Sequence, residues 1–143
     1  MRILSLDPGS HKCGVAVVKN EEQRPEVLLH RVVEASKIET SLSQWISDYS
    51  INVIVLGDAT TSAAWRSRIE KVLSLHSDSP IKLQMVEEAG STLEARALYW
   101  KENPPRGWRK VLPLSLQAPP EPIDDFAAIV LAERYLKTLG TKR

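Results

Sequence analysis

The chain has 143 residues, 43% hydrophobic and 26% charged, with a formal net charge of +1 and one cysteine, Cys13. That length buries a core without covalent staples, and a lone cysteine excludes an internal disulfide. A charge so near balance excludes recognition by the field of the whole molecule, so any electropositive site is local.

Three strand-like segments come first: Arg2 to Asp7, the Val-rich Cys13 to Lys19, and Val27 to Glu34. Their short polar links predict an antiparallel meander. The rhythm then changes. Ile38, Leu42, Trp45, Ile46 and Tyr49 fall on one helical face. Asn52 to Gly57 is a continuous apolar run, as a parallel strand covered on both faces requires. Trp65, Ile69, Val72 and Leu73 predict a second helix, closed before Ser79-Pro80. Ile81 to Val86 alternates as a strand, and Ser91-Thr92-Leu93-Glu94 reads as a capping box opening a third helix that stops before Asn103. Pro104 to Pro122 is a long, proline-studded loop, and such a length in a compact domain signals either function or a missed element. The last helix begins near Ile123 or Asp124, with Phe126, Ala127, Val130, Leu131 and Tyr135 as its apolar face, and the tail Gly140 to Arg143 is expected to fray.

This order predicts one α/β domain over residues 1–143. Its sheet is mixed and five-stranded, a three-stranded antiparallel meander followed by parallel strands, with helices on both faces. No apolar run approaches the roughly 20 residues of a membrane span, and the chain turns polar by Asp7, too early for a secretory signal. A cytoplasmic protein without membrane association is expected.

The first strand ends on a carboxylate, which needs water, a donor or a cation to offset its desolvation. Ile3, Ser5 and Asp7 share one face of that strand, Leu4 and Leu6 the other. Gly9, two residues on, allows unusual backbone angles and close approach. Glu87-Glu88 directly follows the strand ending at Val86, Asp58 ends the other parallel strand, and Asp124-Asp125 opens the last helix. In open α/β sheets, sites form beyond the carboxyl ends of the strands. Carboxylates gathered there repel one another unless a cation intervenes, and hard oxygen ligands suit Mg²⁺ or Mn²⁺. Taken singly, each acid has a plainer role as turn, strand end or helix cap. Their joint placement makes the case.

Three stretches, D-P-G-S-H-K-C-G-V-A-V from Asp7, V-E-E-A-G-S-T-L-E-A-R-A-L from Val86 and D-D-F-A-A-I-V-L-A-E-R-Y-L from Asp124, resemble the YqgF family. That family is similar to the RuvC Holliday-junction resolvases and shares the RNase H-like fold. The resemblance runs from the first strand to the last helix. It implies a metal-dependent nuclease that matures the ends of the small-subunit ribosomal RNA precursor, or a Holliday-junction resolvase-like endonuclease. Position by position, the family's catalytic and metal-binding acids fall on Asp7, Glu88 and Asp124, the last fixed by Ala127-Ala128. Asp125 is then a neighbour facing elsewhere.

Two departures stand out. The arginine that follows the family's glutamate is Ala89 here, and the usual Gly-Leu-Pro after the fourth strand is Gly57-Asp58-Ala59-Thr60-Thr61, which offers Asp58 as an extra ligand. Loss of the arginine keeps a catalytically silent RNA- or ribosome-binding module open as an alternative. Asp7-x-Gly9 with Gly14 also resembles the phosphate-binding hairpin of actin-like and sugar kinases, which need two such domains around the nucleotide.

The expected partner is nucleic acid, structured RNA ahead of branched DNA, within a ribosomal precursor particle. Resolvases of this fold act as symmetric pairs, so a homodimer is also admitted. Arg106, Arg109 and Lys110 on the long loop suit phosphates, Trp108 suits stacking on an unpaired base, and Lys12 adds a cation beside Asp7. His11, His30 and His76 are scattered, and Trp45 and Trp65 have core spacing.

Overall fold

The computed structural model describes residues 1–59, 61–76, 78 and 80–140. Five strands, β1 (Arg2–Pro8), β2 (Lys12–Glu21), β3 (Arg24–Glu34), β4 (Val53–Gly57) and β5 (Lys82–Val86), form one sheet in the order β3-β2-β1-β4-β5. β1, β2 and β3 make the expected antiparallel meander, and β4 and β5 join in parallel. Four helices connect or cover them: α1 (Ile38–Tyr49), α2 (Ser62–Ser74), α3 (Ser91–Glu102) and α4 (Asp124–Gly140).

Alternation along β1 divides the core in two. Leu4 and Leu6 face α1 and α2 in a cluster with Ile38, Leu42, Ile46, Trp65 and Ile69. Each of those aliphatic side chains contributes about 1.5–3 kcal/mol by leaving water. Ile3 and Ser5 face the other way, toward α4. Trp65 is core, as its spacing predicts, and Trp45 packs at the margin of the same cluster.

α4 crosses the second face diagonally and touches every strand. Its buried Asp125 meets His30 on β3, and its Asp124 backbone lies against Gly14 on β2. Ala128 accepts a 2.5 Å hydrogen bond from the buried Ser5 hydroxyl on β1. Leu131 packs with Val55 on β4, and Arg134 reaches the chain just past β5. An otherwise apolar helix face thus carries three polar ties that fix its register over the sheet.

Three local expectations need correcting. Ser91-x-x-Glu94 is not a capping box. Gly90, with φ 76°, is the N-cap residue, so the helix starts one position earlier than a Ser91 cap would place it, and Glu94 pairs instead with Arg134. Gly9 does not take left-handed backbone angles, but the close approach expected of it is there, since a Cβ would press on the Lys12 carbonyl. The 103–123 segment is not wholly irregular, since short 3-10 turns form at Gly107–Val111 and Leu114–Leu116. Part of the segment is tied to α3, where the Arg96 guanidinium donates to the Gln117 carbonyl and the Gln117 amide donates to the Arg109 and Leu112 carbonyls. Ser79, and the tail beyond Gly140 that was expected to fray, lie outside the described residues. Among the described residues no helix is long and apolar enough to cross a membrane.

Candidate active site

Asp7 sits one residue from the end of the central strand, half-buried, on the α4 face. Its neighbours across the sheet are both side-chain-free. Gly14 is its register partner on β2, and Gly57 ends β4 one residue past the Leu6–Leu56 pair. A Cβ on Gly14 would overlap the Asp124 carbonyl, and a Cβ on Gly57 would overlap the Glu88 carboxyl. The two glycines therefore admit the two other acids, one from each side.

The electrostatics follow from this crowding. Asp7 is pushed up from its ordinary 3.8 to about 8, first by burial, then by the hydrogen bond and charge of Glu88, then by the charge of Asp124. Glu88 is also raised, by burial and by the charge of Asp58, and is partly offset by the hydrogen bond it accepts when Asp7 holds the proton. The buried Oε1 of Glu88 has no hydrogen-bond donor among the described residues. Two desolvated carboxyls in mutual contact thus share a demand for positive charge that a proton meets only in part.

Among the described residues, no three His, Cys, Asp or Glu side chains already form a ligand cage. The donor chemistry nevertheless fits a hard divalent cation: all-oxygen, anionic, with one buried carboxylate oxygen unpartnered over Gly57. Asp7 and Asp124 also line an open groove of about 320 Å³ together with the 8–12 turn, including Lys12 and His11.

The other sequence candidates fall in different places. The Asp58 side chain is exposed, and it accepts the Glu88 backbone N–H at 2.9 Å. Asp125 faces away from Asp7: one carboxyl oxygen pairs with His30 Nδ1 at 2.7 Å and the other accepts the Phe126 N–H. Arg106, Trp108, Arg109 and Lys110 are all exposed near α3, and Arg106 and Arg109 line a separate cavity beside Tyr99 and Trp100. They do not line the acidic groove. Sequence reasoning named Gly14 and Gly57 without seeing that they admit the acids, and gave Ser5 and Arg134 no role in the site. Glycines interrupting Val-rich strands were the available signal for the first two.

A family model described as RuvX, Holliday junction resolvase, matches residues 1–138. The crossover junction endodeoxyribonuclease RuvC of Thermobifida fusca (strain YX) is 28% identical over a 163-residue alignment that covers 95% of this chain and 84% of that one. Among solved structures, the fowlpox virus Holliday junction resolvase is similar with a TM-score of 0.64 at 17% identity, covering 97% of this chain and 99% of that one. Thermus thermophilus RuvC is similar with a TM-score of 0.57 at 16% identity, covering 99% and 98%. At those identities the structural likeness is one of fold.

Proposed function

Because the chain belongs to the RuvX family of Holliday junction resolvases, nucleases of RNase H-like fold, we propose that it hydrolyses phosphodiester bonds with Asp7, Glu88 and Asp124 as ligands of Mg²⁺ or Mn²⁺. The observation that carries this reading is the Asp7–Glu88 pair, seated over Gly57, with Asp124 admitted across Gly14. Such a bound ion lowers the pKa of its water and offsets charge on the leaving oxygen.

Asp7, between the other two, would be the central ligand. Glu88 and Asp124 would complete the set that holds the ion, and their free carboxylate oxygens would accept hydrogen bonds from a water and so orient it. No side-chain nucleophile is needed, and His30 is already committed to Asp125. Lys12 at the groove, with Arg106, Arg109 and Lys110 on the loop, serves the phosphate backbone, and Trp108, 71% exposed, offers a stacking face.

The substrate we favour is structured RNA, the small-subunit ribosomal precursor within its particle, in the cytoplasm. Branched DNA is the second reading, favoured by the family's description and by the RuvC relatives. That reading brings a homodimer with it, since a two-fold junction presents two equivalent cuts.

The test is parallel digestion of a precursor RNA fragment and a four-way DNA junction with Mn²⁺, using Asp7→Asn as control. Manganese-dependent cleavage of the RNA, lost in the variant, is expected. Cleavage of the junction alone assigns the DNA reading. Cutting that persists in Asp7→Asn refutes the site, and RNA binding without cutting leaves the silent module.

A further inference from the structure

The peptide bond that joins Glu87 to Glu88 is gripped at both ends by side chains from elsewhere in the fold. On its N–H side, Asp58 at the end of β4 accepts the Glu88 amide at 2.9 Å. On its carbonyl side, Arg134 of α4 donates through Nη1 to the Glu87 oxygen at 2.7 Å. The second arm of the same guanidinium, Nη2, is anchored 2.7 Å from Glu94 Oε1 on α3, and the Arg134 side chain is only 19% exposed. Just beyond the clamp, the Ser91 N–H donates to the Glu88 carbonyl at 2.8 Å. Just before it, the Asp58 N–H donates to the Val86 carbonyl at 3.0 Å. The Val86 carbonyl, the Glu87 carbonyl, the Glu88 N–H and the Glu88 carbonyl are therefore all held.

A peptide plane held by an anion on its donor end and a cation on its acceptor end cannot rotate without breaking a charge-assisted hydrogen bond. Its rotation is what would swing the Glu88 Cα–Cβ bond off the Gly57 floor. We propose that Asp58 and Arg134 are positioning residues that fix this plane and thereby aim the Glu88 carboxylate at Asp7. The proposal rests on the nuclease reading only for the purpose of the aiming. It also accounts for both departures from the YqgF pattern. Asp58 is not a spare ligand, and Arg134 approaches the turn from the far helix: its Nη2 lies 3.6 Å from where a Cβ on Gly90 would stand, next to the shortened Ala89.

The test uses the full chain without substrate, and two readouts. Amide exchange by NMR in the metal-free protein reads the clamp. Mn²⁺ titration calorimetry reads the aim. Asp58→Ala should speed exchange at Glu88 by about tenfold, and both Asp58→Ala and Arg134→Gln should weaken Mn²⁺ binding by about tenfold or more. Asp58→Asn keeps an acceptor oxygen without the charge and should fall between Asp58→Ala and the unaltered protein in both. Arg134→Lys should fall between. An unchanged amide spectrum away from 57–59, 86–91 and 134 verifies the fold of each variant.

Three results overturn the proposal. Glu88 exchange and Mn²⁺ affinity both unmoved by Asp58→Ala and Arg134→Gln would remove the clamp. Faster exchange with unchanged affinity would remove the aiming. Asp58→Asn as weak for Mn²⁺ as Asp58→Ala, with its amide still protected, would make Asp58 a ligand. If the unaltered protein binds no Mn²⁺ while exchange follows the substitutions, the clamp stands and the nuclease reading falls.

Discussion

Replacing Asp7 by asparagine should make the metal-free protein more stable, and by an amount that grows with pH. Asp7 ionises at about 8 in the fold against an ordinary 3.8. The folded form therefore holds a proton that the unfolded chain releases. Stability from this group is complete below about pH 4 and is lost as pH rises to about 8. A gap of about four pH units at about 1.36 kcal/mol each sets a ceiling near 6 kcal/mol. The groove is open to water and Glu88 carries part of the same penalty, which brings the expected gain to about 2 kcal/mol at pH 8. Asparagine keeps the volume and has nothing to ionise. Urea unfolding in EDTA should show Asp7→Asn level with the unaltered protein at pH 4 and ahead by that amount at pH 8, about 6 °C in Tm. Saturating Mn²⁺ should reverse the order, because only the unaltered protein gains binding energy, about 2.7 kcal/mol at a hundredfold excess over Kd. A variant that is no more stable at pH 8, or equally favoured at pH 4 and pH 8, would refute the account of the site as a store of unmet charge.

The same store predicts that Mn²⁺ binding at pH 7 expels a proton, near one per site, which calorimetry in buffers of different ionisation enthalpy measures. The two glycines should behave oppositely. Gly14→Ala meets the backbone of Asp124 and should cost about 3 kcal/mol or more in chemical denaturation, as α4 is lifted from β2. Gly57→Ala meets the movable Glu88 carboxyl; it should cost about 1 kcal/mol or less in folding while abolishing Mn²⁺ binding. Replacing Arg106, Arg109 and Lys110 together with glutamine should flatten the salt dependence of nucleic-acid binding, lowering the slope of log K against log salt by about 2 to 3. An unchanged slope would mean that the loop does not meet phosphates.

Most of the architecture was legible because apolar runs in this chain are bounded sharply. β1, β4 and β5 end on Asp7-Pro8, Gly57-Asp58 and Glu87-Glu88, and the helical faces keep their period from Ile38 to Tyr49 and from Phe126 to Tyr135. β3 was read three residues short. It is a largely exposed edge strand, and its hairpin turns through Glu22 and Gln23 at φ 53° and 61° without the Gly or Asn that announces such a turn. The acids at Asp7, Glu87-Glu88 and Asp124-Asp125 were legible because each abuts a strand end or helix start, and the YqgF resemblance chose Glu88 and Asp124 within the pairs. The clamp was not found because Asp58 and Arg134 lie far apart in the chain and act on a peptide group, which leaves no trace in side-chain patterns. His30–Asp125 was hidden for the same reason: the chain gives no local cue that a β3 histidine and the second residue of α4 will meet.

Gly14 and Gly57 leave the ground beneath the acids built of main chain alone. Point substitution cannot remodel a peptide group, so relatives that differ in what they cut have little freedom there. Their divergence must be written elsewhere, in the 8–12 turn that lines the groove and in the 103–123 segment beside α3. A chimera exchanging those two segments with a RuvC relative would carry substrate choice with them and leave the acids where they stand.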